Sequence, residues 1–252
     1  MRLLFFLILL FGATPALAQD DPPFPEYPDF KPEATHMGAQ SYSLALLDLF
    51  EVAPAAAGVP ARLEGFYRIG TDYTRLWLKG EGEGLVSEGM GEAEVQALYS
   101  RLISPYFEAQ AGVRLDTEFG EGDLRARPQL VVGLEGLAPY WFEVEPALFL
   151  SAAGDLSARL EGSYDLLITQ RLVLQPEAEV NLALQKVEDW GVGSGLNNIE
   201  AGLRLRYEIK REIAPYIGVS WLNRFGSAED FARSEGASGS QVRLVFGVRL
   251  WR

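Results

Sequence analysis

The feature that most constrains the fold is an alternation of apolar and polar residues that runs from residue 43 almost to the end of the chain. In residues 156–161, for example, leucine and alanine alternate with serine, arginine and glutamate. A period of two places successive side chains on opposite faces, which is typical of a β-strand, and helical heptads are absent. The pattern predicts strands at residues 43–52, 61–70, 73–82, 92–103, 106–116, 125–135, 140–150, 155–167, 171–185, 196–209, 215–224 and 240–251.

The lengths of these segments indicate which kind of sheet they form. Strands of soluble sheets average about 5–6 residues, whereas a tilted transmembrane strand needs about 9–11. Short turns also alternate with longer connections, such as residues 117–124 and 225–239, as in outer-membrane barrels with an even number of strands. We therefore expect an all-β fold, an antiparallel transmembrane β-barrel of about 12 strands over residues 43–252.

Aromatic residues near the predicted strand ends fit the girdles that such barrels place at the two membrane interfaces. They are Tyr73, Trp77, Tyr106, Tyr140, Tyr164, Tyr207, Tyr216, Trp221 and Trp251.

The first 18 residues have the pattern of a cleaved signal peptide. Arg2 precedes an apolar run over residues 3–11, and Ala16-Leu17-Ala18 supplies the small residues of a cleavage site. The run is shorter than the roughly 20 apolar residues of a membrane-spanning helix. Residues 19–42 are rich in proline and acids and predict a disordered periplasmic arm. The expected location is the cell outer membrane.

Composition excludes several classes of function. The chain has no cysteine, so thiolate metal ligands are excluded, and its formal net charge of −13 argues against a nucleic-acid partner. Hydrolases in barrel walls generally need a histidine base. The only histidine, His36, precedes the first predicted strand, so we expect that the protein is not an enzyme.

Five runs resemble the copper resistance protein B family: DYTRLWLKGEGEG (72–84), LAPYWFEVEPALFLS (137–151), YDLLITQRLVLQPEAEVNL (164–182), GVGSGLNNIEAGLRLRYEIKREIAPYIGVSW (191–221) and VFGVRLW (245–251). The resemblance implies an outer-membrane barrel of a copper resistance or homeostasis system that binds copper ion and sequesters it or assists its efflux. Members commonly carry Met- and His-rich stretches before the barrel, where this chain has only His36 and Met37. The alternative is a small-solute pore or structural barrel without metal specificity.

The candidate metal ligands fall into two groups. His36 and Met37 offer imidazole and thioether groups, which suit copper, although both also fit as ordinary residues of the arm. Lumen-facing carboxylates offer oxygen ligands to Cu(II) in transit, and these are Glu143, Glu145, Glu177 and Glu179. The competing interpretation is that the lumen-facing charges neutralise one another in ion pairs. Expected partners are outer-membrane lipid, the barrel-assembly machinery and a periplasmic copper-handling protein.

Overall fold

A computed structural model of the chain describes residues 41–53, 59–85, 90–120, 123–234 and 236–252. The predicted signal peptide and almost all of the predicted arm, including His36 and Met37, lie outside the described residues.

The described residues are almost entirely β-sheet. In chain order the strands are β1 (Tyr42–Val52), β2 (Pro60–Gly70), β3 (Thr74–Leu85), β4 (Met90–Ser104), β5 (Phe107–Gly120), β6 (Asp123–Ala138), β7 (Phe142–Ser151), β8 (Leu156–Ser163), β9 (Leu166–Leu167), β10 (Leu172–Ala183), β11 (Gly195–Tyr207), β12 (Ile213–Arg224) and β13 (Ser240–Trp251). Both β8 and β9 pair with β10, so they form one interrupted strand, and the described chain contributes twelve strands to the sheet.

The sheet closes on itself as an antiparallel barrel. With β8 and β9 taken as one strand, each strand pairs with its successor in the chain, and β13 returns to pair with β1, where Leu46 stands opposite Trp251. The ladder between β10 and β11 is continuous with the rest of the sheet. Closure leaves no free edge, so every strand finds hydrogen-bonding partners on both sides. The predicted antiparallel barrel of about 12 strands is confirmed.

The barrel is apolar outside and polar inside. On β6, Leu130 and Val132 are 58% and 61% exposed, while Val131 between them is buried. Leucine and valine side chains face outward on the other long strands as well, including Leu148 on β7 and Leu203 on β11. An apolar outer surface is the arrangement that a lipid environment stabilises. None of the helices among the described residues is long and apolar enough to cross a membrane.

The two ends of the barrel differ. Tyr42 and Trp251 mark what we call the terminal end, where the connections are short turns. The opposite, loop end carries α1 (Gly226–Ser234) and a short 3-10 helix at Glu188–Trp190.

The predicted long connection over residues 117–124 is wrong, because β5 and β6 extend through most of it. Glu118 stands opposite Arg125 in the ladder, and the two side chains form an ion pair at 2.9 Å. The polarity of these residues predicted a loop, but in the structure the charged side chains near the strand ends continue the pairing of β5 with β6.

Two of the predicted interface aromatics point into the barrel instead. Trp77 is 3% exposed and packs with Leu98, Val131 and Phe149 in an apolar cluster on the inner wall. Tyr216 is also buried. Their positions near strand ends suggested girdles, but their place in the alternation puts them on the inward face. The outward aromatics are exposed as a girdle requires, and these are Tyr106, Tyr140, Tyr207, Trp221 and Trp251.

Candidate functional site: a charged lumen

Strand register aligns acidic side chains into two rows inside the barrel. The first acidic row crosses β7, β8, β10 and β11 and consists of Glu145, Glu161, Glu179 and Glu200. The second acidic row crosses β2, β3, β4 and β5 and consists of Glu64, Glu81, Glu94 and Asp116. Like charges directly opposite each other on neighbouring strands are destabilising, so both rows need cations within the lumen.

Arg159 on β8 connects the two rows. Its Nη2 donates to Glu94 Oε2 at 2.8 Å, and its Nη1 lies 3.8 Å from Glu81 Oε2, both on the second row. On the first row it lies 3.5 Å from Glu161 and 3.6 Å from Glu179. A single guanidinium, with five N–H donors, is thus shared by four carboxylates from four strands.

Arg62 on β2 makes a second connection. Its Nη1 donates to Glu200 on the first row at 2.6 Å, and its Nη2 lies 2.8 Å from Glu81 and 3.2 Å from Glu64 on the second row. Arg62 and Arg159 therefore share Glu81. These contacts join the two walls of the lumen through a continuous set of ion pairs.

Two further cations serve individual rows. Lys79 Nζ contacts Glu145 and lies 2.9 Å from Glu135. Arg114 contacts Glu94 and Asp116. Among the described residues, the carboxylates of the two rows are thus contacted by Arg62, Lys79, Arg114 and Arg159, four cations for eight acids. When ionised, the two rows leave an excess of negative charge in the lumen.

Arg204 on β11 is the centre of a separate cluster. It is 1% exposed and donates to both carboxylate oxygens of Glu51, at 3.1 and 3.2 Å. Its Nη1 donates to Glu177 at 2.8 Å, and the Tyr216 hydroxyl donates to Glu51 at 3.2 Å. The cluster ties β1, β10, β11 and β12 together from inside.

The four glutamates predicted as copper ligands lie on the lumen side of β7 and β10, but the structure separates their contacts. Glu145 is held by Lys79, Glu177 by Arg204 and Glu179 by Arg159. Glu143 accepts from the Ser163 hydroxyl at 3.3 Å. Across the residues that the structure describes, no group of three or more His, Cys, Asp or Glu side chains is arranged to hold a metal ion.

Several residues of this network were absent from the sequence prediction. They are the members of the second acidic row together with the cations Arg62 on β2, Lys79 on β3 and Arg114 on β5. The signal that could have found them is the same alternation, since Arg62 and Glu64 alternate with Leu63 and Gly65. Which acids stand in one row follows from register, which the alternation does not specify.

Comparison with known proteins identifies the family. A family model described as copper resistance protein B precursor matches residues 41–252. The chain belongs to the copper resistance protein B family. A protein named copper resistance protein B from Escherichia coli is 47% identical over 184 residues, which are 73% of this chain and 60% of that protein. This chain thus spans less than two thirds of the length of that relative.

A copper resistance protein B homolog from Pseudomonas syringae pv. tomato is 38% identical over 250 residues, covering 95% of this chain and 83% of the homolog. Among solved structures, the NanC porin superposes with a TM-score of 0.50 at 13% identity, covering 83% of this chain and 99% of that chain. At this identity the likeness concerns the fold alone. Family and barrel together place this member of the copper resistance protein B family in the outer membrane.

Proposed function

We propose that this protein is the outer-membrane barrel of a copper resistance system, and that it binds copper and sequesters it or assists its efflux. Family membership carries the proposal, because the family model covers the whole described barrel and both relatives are named for copper resistance. The family is not known as a family of enzymes, and in this proposal copper is the cargo of the barrel.

The charge of the lumen supports a cationic cargo. The two acidic rows hold more carboxylates than the cations that contact them, and a cleft lined by one sign of charge raises the local concentration of counter-ions. Carboxylate oxygens accept Cu(II) but do not select it. Selection of copper therefore requires softer ligands, and His36 and Met37 offer imidazole and thioether groups in the segment before β1.

We assign the two groups of candidates different roles. His36 and Met37 form a capture point, and Glu143, Glu145, Glu177 and Glu179 supply oxygen contacts along the lumen. Glu143 is the most available of the four, because its contact is a neutral hydroxyl, whereas copper must compete with Lys79, Arg204 or Arg159 for the others.

Three kinds of partner follow from this role. The apolar outer surface of the barrel contacts membrane lipid, and the barrel-assembly machinery inserts the chain. A periplasmic copper-handling protein exchanges the metal with the barrel.

Isothermal titration of the refolded full-length protein with Cu(II), and with Cu(I) under reducing conditions, tests the proposal. We expect binding with a dissociation constant of about 1 μM or tighter, which corresponds to a binding free energy of about −8 kcal/mol or more favourable. Two variants locate the ligands: the double variant His36→Ala with Met37→Ala, and the quadruple Glu→Gln variant at positions 143, 145, 177 and 179. A variant with Glu188→Gln and Glu212→Gln, both exposed outside the strands, is the matched control.

Loss of Cu(I) binding in the double variant would assign the capture point, and weaker Cu(II) binding in the quadruple variant would assign the lumen contacts. The proposal is rejected if the wild-type protein binds neither ion and if deleting its gene leaves the copper tolerance of the cell unchanged. Unchanged binding in the quadruple variant would remove the four glutamates from the ligand set but not the copper role.

The ion pairs that cross the lumen weigh against the alternative of an open small-solute pore. Arg159 and Arg62 join opposite walls through contacts of 2.6–3.8 Å, so the centre of the barrel is occupied by side chains.

A further inference from the structure

Two large cavities lie inside the barrel that the described residues form. The terminal cavity, of about 440 Å³, lies near the terminal end and is lined by residues such as Asp48, Glu143 and Arg249. The loop cavity, of about 460 Å³, lies near the loop end and is lined by residues such as Glu92 and Trp190. Each is large enough to hold many water molecules, which occupy about 30 Å³ apiece in the liquid.

Four side chains line both cavities, and we call them the septum: Glu81, Glu94, Arg159 and Glu179. Arg159 contacts each of the three glutamates, at 3.8, 2.8 and 3.6 Å respectively. The septum thus consists of one cation from β8 and carboxylates from β3, β4 and β10. It stands where a solute passing from one cavity to the other has to cross.

Neighbouring residues keep the septum in place. Arg114 on β5 holds Glu94 from the other side at 2.8 Å, and Arg62 holds Glu81 at 2.8 Å. The Phe149 ring on β7 lies 4.4 Å from the Arg114 guanidinium and 5.7 Å from that of Arg159, within the range of a cation–π contact. Glu81 and Glu94 therefore keep another cationic partner, whereas Arg159 is the cation that Glu179 contacts, and among the described residues Arg159 alone contacts all three glutamates.

We propose that Arg159 closes the lumen, and that the carboxylates it holds form a cation-selective constriction between the two cavities. Solute passes only when the Arg159 guanidinium leaves Glu81, Glu94 and Glu179. This inference goes beyond the copper role, because it concerns any small ion and does not depend on which metal the protein carries.

Removing the cation changes both the size and the charge of the constriction. Without Arg159, the three glutamates repel one another and retreat towards Arg62, Arg114 and the wall. The opening that remains is lined by carboxylates, so it admits cations and rejects anions. A shorter or neutral side chain at this position therefore produces a conducting, cation-selective barrel.

Conductance in planar lipid bilayers tests the proposal with the full-length protein in KCl. We expect little steady conductance from the wild type and clear steady conductance from Arg159→Gln. The reversal potential in a KCl gradient should give a K⁺ over Cl⁻ permeability ratio of about tenfold or more, the scale by which a charged cleft concentrates counter-ions. The matched control is Arg127→Gln, since Arg127 lines only the loop cavity and pairs with Asp155.

A chemical test separates the effect of the charge at position 159 on conductance from the effect of damage to the fold. The chain has no cysteine, so Arg159→Cys introduces a single thiol. This thiol is modified with a methanethiosulfonate reagent. The cysteine thiolate attacks the reagent, displaces sulfinate and forms a mixed disulfide. An aminoethyl reagent restores positive charge at this position and should reduce the conductance again, whereas a methyl reagent should leave it high.

Three results would overturn the proposal. The first is that the wild type and Arg159→Gln conduct equally. The second is that Arg127→Gln conducts as much as Arg159→Gln. The third is that the charged and uncharged reagents reduce the conductance of Arg159→Cys equally. Each variant is first checked for the heat-dependent electrophoretic shift of a folded barrel, so that a misfolded protein is not scored as open.

Discussion

Arg204 on β11 binds Glu51 on β1 through two parallel hydrogen bonds, at 3.1 and 3.2 Å, with both residues almost fully buried. Breaking a buried pair by removing one partner leaves an uncompensated charge and typically costs about 3–5 kcal/mol. We expect Glu51→Ala to lower the free energy of unfolding by that amount, because among the described residues Arg204 then keeps only Glu177 as an acidic partner. Urea-induced unfolding in lipid vesicles, followed by tryptophan fluorescence, measures the change.

The matched control for this prediction is Glu83→Ala. Glu83 pairs with Arg243, but each side chain is about one third exposed, and pairs of this kind contribute about 0–1 kcal/mol. Equal losses in the two variants would contradict the special importance of the Arg204–Glu51 pair.

The outward face of β6 predicts where a charge is not tolerated. Leu130 is 58% exposed at the middle of the strand, and arginine on the lipid face of a barrel costs about 2–4 kcal/mol near the bilayer midplane and about 0–1 near the interface. We expect Leu130→Arg to destabilise the folded barrel by the larger amount and Leu124→Arg, at the loop end of β6, by the smaller. Folding equilibria in vesicles measure both, and a harmless Leu130→Arg would show that this face does not contact lipid.

The inward position of Trp77 predicts a core role for this residue. Its ring packs against Phe66 at a centroid distance of 4.8 Å, and its indole N–H donates to Ser100 at 3.2 Å. Truncation of a buried tryptophan typically costs about 3–5 kcal/mol, so Trp77→Ala should lower the unfolding free energy by that amount. Trp221→Ala, on the outward face, should cost clearly less. The same unfolding measurement compares the two variants. A larger loss of unfolding free energy in Trp221→Ala than in Trp77→Ala would favour the girdle interpretation of Trp77.

Gly193, at the loop end, is a position where an added methyl group should strongly affect the local stability of α1. A Cβ at Gly193 would lie 2.6 Å from the Ala228 backbone nitrogen in α1, so Gly193→Ala has to displace the helix. Overpacking of this kind costs about 1–3 kcal/mol, which corresponds to a rise in local opening of about 5-fold to 150-fold. We expect faster tryptic cleavage after the exposed Arg233, measured by mass spectrometry.

Gly82→Ala is the control for the α1 prediction, because a Cβ there would first meet the Glu92 carbonyl oxygen at 3.6 Å, an ordinary contact. If Gly193→Ala and Gly82→Ala are cleaved at the same rate as the wild type, α1 does not depend on close contact with Gly193.

The barrel was predictable because alternation is a local property of the chain. The alternation within each strand defines two faces, so the sequence assigns Leu160 outward and Arg159 inward without reference to any other strand. The alternation also places Trp77 inward, where the structure has it, whereas its position near a strand end, which suggested a girdle, does not determine which face a side chain occupies. Strand ends were harder to place, since pairing between Glu118 and Arg125 extends a ladder through residues whose polarity favours a loop.

The contents of the lumen were predictable as a set of charges but not as a network. The sequence placed Glu145 and Glu179 inside the barrel. It did not show that Arg159 would contact Glu94, which lies 65 positions away along the chain. That contact depends on the number of strands, on their register and on the curvature of the closed sheet, none of which is encoded within one strand.

The sequence by itself determined the fold class, the inward and outward faces and the family, because all of these depend on short-range patterns and long matching runs. Only the tertiary structure decided which carboxylates share a cation and where the lumen is interrupted. The physical reason is that closure of the barrel brings opposite walls within reach of one long guanidinium side chain. Carboxylates from two acidic rows that are remote in the chain then become a single charged constriction around Arg159.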